Sequence, residues 1–488
     1  MVDRAAAPLA APRKDLPLGS GGPLADPRGP WLREIAATWS LGLPLALSQL
    51  AWIGLTVTDV LVLGWYSPTA LAAGGLGANY FFLPYIFGLG VLAAVSPIVA
   101  QRLGQGGAGQ LRSVRRAVRQ GLWVAIALAV PATLFCLAAG PAFRAMGQDP
   151  AIGAEATRYI HAAMPGLLPA FGIAALRGFM SSLSRGRPVL LVSLGALPVN
   201  LVLDYALVFG AWGLPELGVV GAGLTSAAVE VAMLAALIGL VVTDRQFRRY
   251  AIFGRFWRSD WAMFRQVLAV GCPIGVTLLL EVGVFSAGAF LMGFFGTTAL
   301  AAHQIAIQCA AVTFMIPFGL SQATTVRVGL SAGRRDGAGA LRAGLVGTFS
   351  ALIVMAGAAC LFWVLGPQIA ALFVDLSAPG AREVASLAAG YLAIAAVFQL
   401  VDGAQVAANG ALRGLKDTQV PMAIVAVGYW LVAFPLALLL GFELGWRGEG
   451  LWWALAVGLA FAAVTLTARF LVRLRRFGRQ WAAETGGP

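Results

Sequence analysis

The chain repeats itself. Thr69-Ala-Leu-Ala-Ala73 recurs far downstream as Thr298-Ala-Leu-Ala-Ala302. At that same offset Gly42 falls on Gly271, Pro44 on Pro273, Gly64 on Gly293, Gly90 on Gly319 and Gly104 on Gly333. Leu176-Arg177-Gly178 recurs as Leu412-Arg413-Gly414 at a slightly longer spacing. Two related halves must pack the same helices twice, which confines the chain to a pseudosymmetric architecture. In a membrane chain that pattern points to a transporter with its site between the repeats.

The halves are apolar. Hydrophobic residues make up 59% of the chain and charged ones 11%, with a mean hydropathy of +0.82. A membrane helix needs about 20 consecutive apolar residues, and such runs recur along nearly the whole length. They are continuous rather than alternating, which excludes a β-barrel, and a soluble fold is excluded with it. The expected class is an all-α polytopic membrane protein with twelve transmembrane helices in two parallel six-helix pseudo-repeats. The first six spans read as 39–64, 76–100, 120–140, 160–182, 189–211 and 221–243. The second six read as 267–294, 302–326, 343–366, 386–411, 421–441 and 450–472. Around them we expect a disordered cytoplasmic tail (1–34), an N-lobe (35–243), a basic cytoplasmic linker (244–265), a C-lobe (266–472) and a cytoplasmic C-terminal tail (473–488). The stretch before Trp31 lacks the apolar core of a signal peptide. Cys136, Cys272, Cys309 and Cys360 lie in apolar runs without CxxC spacing and read as small core residues.

The net charge of +13 is a topology signal. Of 34 Lys and Arg, 30 fall in the two tails, every second loop or the span ends adjoining them (Arg177 and Arg469), and only Arg144, Arg158, Arg382 and Arg447 fall on the other side. By the positive-inside rule both termini are cytoplasmic, in a cell inner (plasma) membrane. The basic surplus faces anionic lipid, and no nucleic-acid partner is expected.

Acids inside the spans carry the functional signal: Asp59, Asp204, Glu230, Glu281 and Asp402. Each costs about 2.5–3.5 kcal/mol at mid-helix, and span by span no Lys or Arg lies near mid-membrane to neutralise them. Such a carboxyl either holds a proton or binds a cation, as a cation-coupled transporter requires. The acids break the repeat: Asp59 aligns with Gly288, and Glu281 with Trp52. Asn200 and Asp204 are four apart on one face of the fifth span, and Pro198 before them frees a backbone carbonyl. Asp59, Asn200 and Asp204 are therefore a candidate proton site. Glu281 and Asp402, with Gln304 or Gln308, are a candidate oxygen-rich pocket for Na⁺ or a proton. Among the aromatics Trp52, Tyr80, Tyr85, Phe285, Phe314 and Phe398, the faces of Tyr80, Tyr85, Phe285 and Phe398, with Gln304 and Gln308, are candidate walls of a cavity for organic cations. His161 and His303 lie at span ends and read as interfacial packing.

No Walker A loop is present, since Lys14 and Lys416 lie in Arg-Lys-Asp and Leu-Lys-Asp contexts. No cofactor is expected; the coupling ion is Na⁺ or H⁺.

Gly42-Leu-Pro44, Asp59, Gly64 and Leu71-Ala-Ala73 resemble the first helix of the multidrug and toxic compound extrusion (MATE) family. Ala301-Ala-His-Gln-Ile305 and Pro317-Phe-Gly-Leu-Ser321 are similar to its helix 7–8 segment. Leu176-Arg-Gly178, Pro188, Asn200, Leu203-Asp204, Phe209-Gly210, Leu217-Gly218 and Gly221-Ala222 resemble helices 4 to 6. Asp402, Leu412-Arg-Gly414, Pro421 and Gly448-Glu-Gly450-Leu-Trp452 resemble helices 10 to 12. The resemblance, covering about 35 to 470, implies two six-helix lobes, alternating access, and multidrug efflux of lipophilic, often cationic compounds by antiport against Na⁺ or H⁺, hence antibiotic resistance. It implies a NorM-like C-lobe cation site at Glu281 and Asp402 and an N-lobe site at Asp59, Asn200 and Asp204. Phe398 stands where cation-site members can have Tyr, which leaves H⁺ and Na⁺ both open. Glu230 lies outside the pattern. A monomer is expected.

Two other readings remain in view. A lipid-linked precursor flippase of the same superfamily would show a cationic cavity for pyrophosphate, whereas the mid-span charges here are acidic. An integral-membrane enzyme would need a nucleophile, base or metal set near one interface, and the chain has two histidines.

Overall fold

The computed structural model describes residues 29–484. Among the described residues twelve helices are long and apolar enough to cross a membrane: α1 (Pro30–Tyr66), α2 (Pro68–Gln105), α3 (Gln110–Leu137), α4 (Pro150–Ser182), α5 (Arg187–Phe209), α6 (Val219–Thr243), α7 (Trp261–Gly293), α8 (Thr297–Gly333), α9 (Gly337–Ala371), α10 (Ala381–Gly414), α11 (Gln419–Glu443) and α12 (Arg447–Gly478). No strand occurs among the described residues. In lipid a helix satisfies its own backbone polar groups, so continuous apolar runs become helices. Pro30, Pro68 and Pro150 open theirs, where the missing N–H costs nothing. Ser67, Asp149, Asp260 and Asp336 accept the free N–H groups of helix first turns. Because α1 starts at Pro30, the last residues of the tail expected over 1–34 are helical; the tail before residue 29 lies outside the described residues. At the other end the last helix continues past the expected boundary at 473 to Glu484.

Each half has its own apolar core. One centres on α2–α6 and the other on α8–α12. α7 is shared: Met263, Val267, Val270 and Ile274 pack into the first-half core, while Val284, Leu291 and Met292 pack into the second. A small third cluster of Leu41, Leu45, Ala100, Ala323 and Val326 lies where α1 and α2 meet α8.

The repeat glycines explain this seam. At Gly42, Gly90, Gly104, Gly271, Gly319 and Gly333 a Cβ would fall closer than 3.0 Å to an atom of the opposite half. Gly42 faces Leu320 and its mate Gly271 faces Val91; Gly90 faces Gly275 and its mate Gly319 faces Ala46. Gly104 and Gly333, themselves mates, face each other. Three of the glycine pairs shared by the halves are therefore the places where the halves touch backbone to backbone. The repeat extends to the adjoining prolines: Ser48 Oγ donates to Pro44 O (2.9 Å), and its mate in the second half, Thr277 Oγ1, donates to Pro273 O (2.8 Å). Such back-bonding bends a helix.

Side-chain hydrogen bonds joining the halves lie in the same portion, toward the ends that carry the arginine-rich loops. Trp39 Nε1 donates to Ser350 Oγ (3.1 Å), Gln101 Nε2 donates to Gly414 O (2.8 Å), and Arg327 grips Glu34 with two bonds of 2.8 and 2.7 Å. Beyond mid-membrane toward the other face, no hydrogen bond or close glycine contact joins the halves among the described residues.

The segment between α6 and α7 is strapped to α3. Arg115 Nε donates to Tyr250 O (2.7 Å), Arg119 Nη1 to Arg255 O (3.0 Å) and Trp123 Nε1 to Phe256 O (3.0 Å). Arg116 pairs with Asp260 and holds that carboxyl below the usual carboxylate range. Arginines that mark topology in the sequence thus also bind backbone carbonyls.

A side chain at Gly333 would press on backbone across the seam, and overpacking costs about 1–3 kcal/mol. In a protein carrying Ala100→Cys and no native cysteine, we expect a water-soluble maleimide to label this buried seam position about tenfold faster once Gly333→Val is added. An unchanged labelling rate would mean that the seam does not depend on glycine.

Candidate functional site

Two carboxylate clusters, one per half, and a cavity on the first-half side of the seam make up the candidate site. In the first half Asn200 Nδ2 on α5 reaches Asp59 Oδ1 on α1 (2.7 Å), Asp204 Oδ2 one turn along α5 (2.8 Å) and Thr58 Oγ1 (2.9 Å). Ser226 Oγ on α6 donates to Asp59 Oδ2 (3.2 Å). Three helices are tied together through one amide and one hydroxyl. Asp204 is fully buried and its Oδ1 has no partner. Two carboxyl groups against one amide have spare lone pairs, and the arrangement can take up a proton or a small cation.

In the second half Gln405 Nε2 on α10 donates to Glu281 Oε1 on α7 (3.1 Å). Asp402 lies one turn before Gln405 on α10 and is buried. One turn earlier again, Gln399 is buried, accepts from Thr313 Oγ1 (2.8 Å) and leaves its Nε2 unpartnered. Tyr429, buried on the π-helical stretch Val427–Ala433 of α11, lies within electrostatic reach of Glu281 and Asp402. Among the described residues no three His, Cys, Asp or Glu side chains gather as a metal set; the oxygens available to a cation here come from two carboxylates and neutral neighbours.

The glutamine expectation is corrected. Gln304 and Gln308 are exposed on α8, and the amide that meets Glu281 is Gln405. Several glutamines have a spacing that could reach the acids; the rotation of α10 about its axis decides which one does.

A cavity of about 200 Å³ lies on the first-half side of the seam, bounded also by α7, α8 and α10. Its wall includes Trp52, Tyr85, Arg177, Glu230, Gln322 and Arg413. Trp52 and Tyr85 stack, with centroids 6.1 Å apart and planes 11° off parallel. Trp52 Nε1 donates to Tyr85 Oη (3.2 Å), and Tyr85 Oη donates to Glu230 Oε1 (3.2 Å). Glu230, which no sequence pattern placed, is thereby fixed on the aromatic wall.

The cavity set expected from sequence is corrected too. Of Tyr80, Tyr85, Phe285, Gln304, Gln308 and Phe398, only Tyr85 lines this cavity. Tyr80 turns the other way, stacking on Phe135 at 4.6 Å and donating to its carbonyl (3.1 Å). Phe285 packs edge-on to Phe398, which packs edge-on to Trp452, inside the second-half core. Phe314 stacks on Phe318, a wall residue. His303 is buried against Trp452 at 5.5 Å, and His161 is exposed. The expectation that no basic residue serves the acids is also revised: Arg177 and Arg413, near the basic ends of α4 and α10, both line the cavity, and Arg413 lies within electrostatic reach of Glu281.

Comparison with known proteins agrees with this architecture. A family model, MatE, matches residues 44–206 and 273–439, two stretches that start one repeat offset apart. The chain belongs to the MATE family. It is 42% identical over 450 residues to a "Probable multidrug resistance protein NorM" of Mesorhizobium japonicum, covering 92% of this chain and 96% of that one. It is 43% identical over 445 residues to a protein of the same description from Pseudomonas aeruginosa, covering 90% of each. Among solved structures, a eukaryotic MATE transporter, AtDTX14, superposes with a TM-score of 0.80 at 18% identity over 92% of this chain and 99% of that one. An outward-facing multidrug resistance MATE family transporter of the MOP superfamily superposes with a TM-score of 0.82 at 18% identity, over 91% and 97%. MATE proteins are transporters, so the chain is a multi-pass membrane transporter and not an enzyme.

The shared amide of Asn200 is the keystone of the first-half cluster, and a hydrogen bond to a charged group is worth about 1.5–3 kcal/mol. Asn200→Ala should therefore lower the apparent melting temperature of the solubilised protein by more than Ser226→Ala, which leaves Asp59 its amide. Equal shifts would show that the amide is not what ties α1 to α5.

Proposed function

We propose that the chain is a secondary multidrug efflux antiporter of the cell inner membrane, with both termini cytoplasmic. It exports lipophilic, often cationic compounds in exchange for H⁺ or Na⁺ by alternating access. Its lobes, 35–243 and 266–472, rock about the glycine seam, joined by the basic linker 244–265, and one chain suffices for transport.

One observation carries this reading: each half holds a hydrogen-bonded carboxylate on a membrane helix, and a cavity with an aromatic and acidic wall lies where the halves meet. Carboxylates in such surroundings take and release a cation as access alternates. The relatives' descriptions support multidrug efflux. In this reading Asp59, Asn200 and Asp204 form a proton site and Glu281 with Asp402 a site for Na⁺ or a proton. Glu230, beside Trp52 and Tyr85, attracts the cationic group of the exported compound. With the basic ends cytoplasmic, a seam closed there gives a state sealed from the cytoplasm. An ion gradient then supplies the work, about 2.3 kcal/mol per charge for each 100 mV of membrane potential.

Everted vesicles, whose cytoplasmic face is outside, are given a fluorescent organic cation in the outer solution, and its uptake under Na⁺ and pH gradients imposed separately tests the coupling. We expect one of the two gradients to accelerate transport, and no response to either would refute antiport. Glu281→Gln and Asp402→Asn, inserted at wild-type levels, are expected to reduce transport and cellular drug resistance to background. Full resistance in the double variant would remove the second-half cluster from the coupling mechanism.

A further inference from the structure

We propose that the seam opens to the cytoplasm on one side only: the ion pair Glu34–Arg327 is a latch between α1 and α8, and α7 is the hinge that keeps the other side shut. This rests on the alternating-access reading above and says where the halves part.

The repeat supplies the comparison. Contacts between α1 and α8 have mates between α7 and α2: Gly42 faces Leu320, and Gly271 faces Val91. Across the first interface Arg327 holds Glu34 by two bonds of 2.8 and 2.7 Å. The repeat mates of this pair are Ile98 and Met263, both buried in the first-half core. Trp39 on α1 also reaches the second half, donating to Ser350 Oγ (3.1 Å), and its mate Leu268 has no side-chain donor. Two equivalent interfaces therefore carry different chemistry, polar where α1 meets the second half and apolar where α7 meets the first.

Opening to the cytoplasm admits water, and that decides which interface can part. A separated carboxylate and guanidinium regain hydration, whereas a separated apolar interface exposes its surface with nothing in return. The pair already borders water: 25% of the Arg327 side chain and 10% of the Glu34 side chain are accessible. A bidentate pair also holds in one geometry, so it shuts the interface in a definite position.

Packing follows the same division. At its cytoplasmic end α1 gives Leu41 and Leu45 to the small cluster with Ala100, Ala323 and Val326, apart from both main cores. The matching end of α7 gives Met263, Val267, Val270 and Ile274 to the first-half core, and the segment leading into it is bonded to α3 at Tyr250, Arg255 and Phe256. From Val284 onward α7 belongs to the second-half core. A helix packed into both halves must bend when they rock. Pro273, which lacks the N–H of the helix ladder, and Thr277, which donates to its carbonyl (2.8 Å), lie at the border of the two packing regions. Gly104 and Gly333 are mates that face each other, which puts them at the pseudosymmetry axis. The bond from Gln101 to Gly414 O lies beside them, near the pivot. The single bond from Arg177 on α4 to Gln322 on α8 (3.1 Å) parts with the latch.

The test compares repeat mates. Ala323 and Ala94 are mates on α8 and α2, and both are fully buried. In a protein without native cysteines, Ala323→Cys or Ala94→Cys is labelled by an impermeant maleimide from the cytoplasmic face of everted vesicles. Glu34→Gln or Arg327→Gln is expected to speed labelling at Ala323→Cys about tenfold, the loss of a charge-assisted pair, and to leave Ala94→Cys within about twofold. Exchanging the charges, Glu34→Arg with Arg327→Glu, is expected to restore slow labelling. No acceleration at Ala323→Cys, equal acceleration at both positions, or acceleration that the exchange does not reverse would overturn the latch. A second measurement leaves the native charges out of the comparison. Cysteine pairs at Glu34 and Arg327, or at Met263 and Ile98, are joined by a bis-maleimide with a reducible bridge. Joining the first pair is expected to cut dye uptake at least tenfold, with recovery on reduction, and joining the second to leave at least half. Loss of uptake with both pairs, or with neither, would overturn the one-sided opening. Export is scored apart from gating: unjoined protein that moves no dye refutes the export reading, while the labelling contrast still tests the latch.

Discussion

Backbone meets backbone where the two halves join, and most of the rest of the structure depends on that contact. Side chains normally keep helix axes about 8–10 Å apart; glycines remove the spacer, as small residues do at membrane helix interfaces. Six glycines, three from each half and related by the repeat, let α1 and α2 lie against α8 and α7 closely enough for the seam to close. Van der Waals contact drives this, since lipid tails solvate an apolar helix as well as another helix does. The grip of Arg327 on Glu34 and the bond from Gln101 to Gly414 O add to the same end of the seam. With one end closed, the polar clusters and the cavity are held at fixed places along the membrane.

Electrostatics shapes what lies behind the seam. The halves share a backbone plan and differ in their acids. In the first, two carboxylates converge on Asn200 from α1 and α5, with Ser226 behind them. In the second, Glu281 on α7 meets an amide on α10, with Asp402 one turn away and Arg413 within electrostatic reach. Symmetry thus provides equivalent glycine contacts around chemically unlike sites. The antiport proposed above draws on that difference, assigning unlike charges to the two sites.

Much of the candidate site was legible from spacing. Asn200 and Asp204 are four apart, and the helix period alone puts them on one face; that Asp59 joins them followed from its presence on a helix of the same half, and the three are hydrogen-bonded together. What failed was the choice among equivalent neighbours. Gln304 and Gln308 look as able as Gln405 to meet Glu281, and Tyr80 as able as Tyr85 to face a cavity. In an ordinary amphipathic helix, polarity marks the inward face. These helices are apolar all round, so their rotation leaves no trace in the hydropathy pattern. Arg177 and Arg413 were missed for a related reason: at span ends they read as topology markers, and nothing local says that those ends turn inward.

The sequence by itself determined that the chain is twelve membrane helices in two repeated sets, and where its costly charges lie. Apolar run length, residue offset and charge placement are one-dimensional properties, and lipid leaves the backbone a single way to satisfy them. Only the tertiary structure decided which faces converge: Gln405 on Glu281, Glu230 on Tyr85, the two Leu-Arg-Gly arginines on one cavity. Those contacts depend on how each helix is rotated and how closely it approaches its neighbours. All the helices settle that together through packing, with glycine contacts between distant parts of the chain setting the distances.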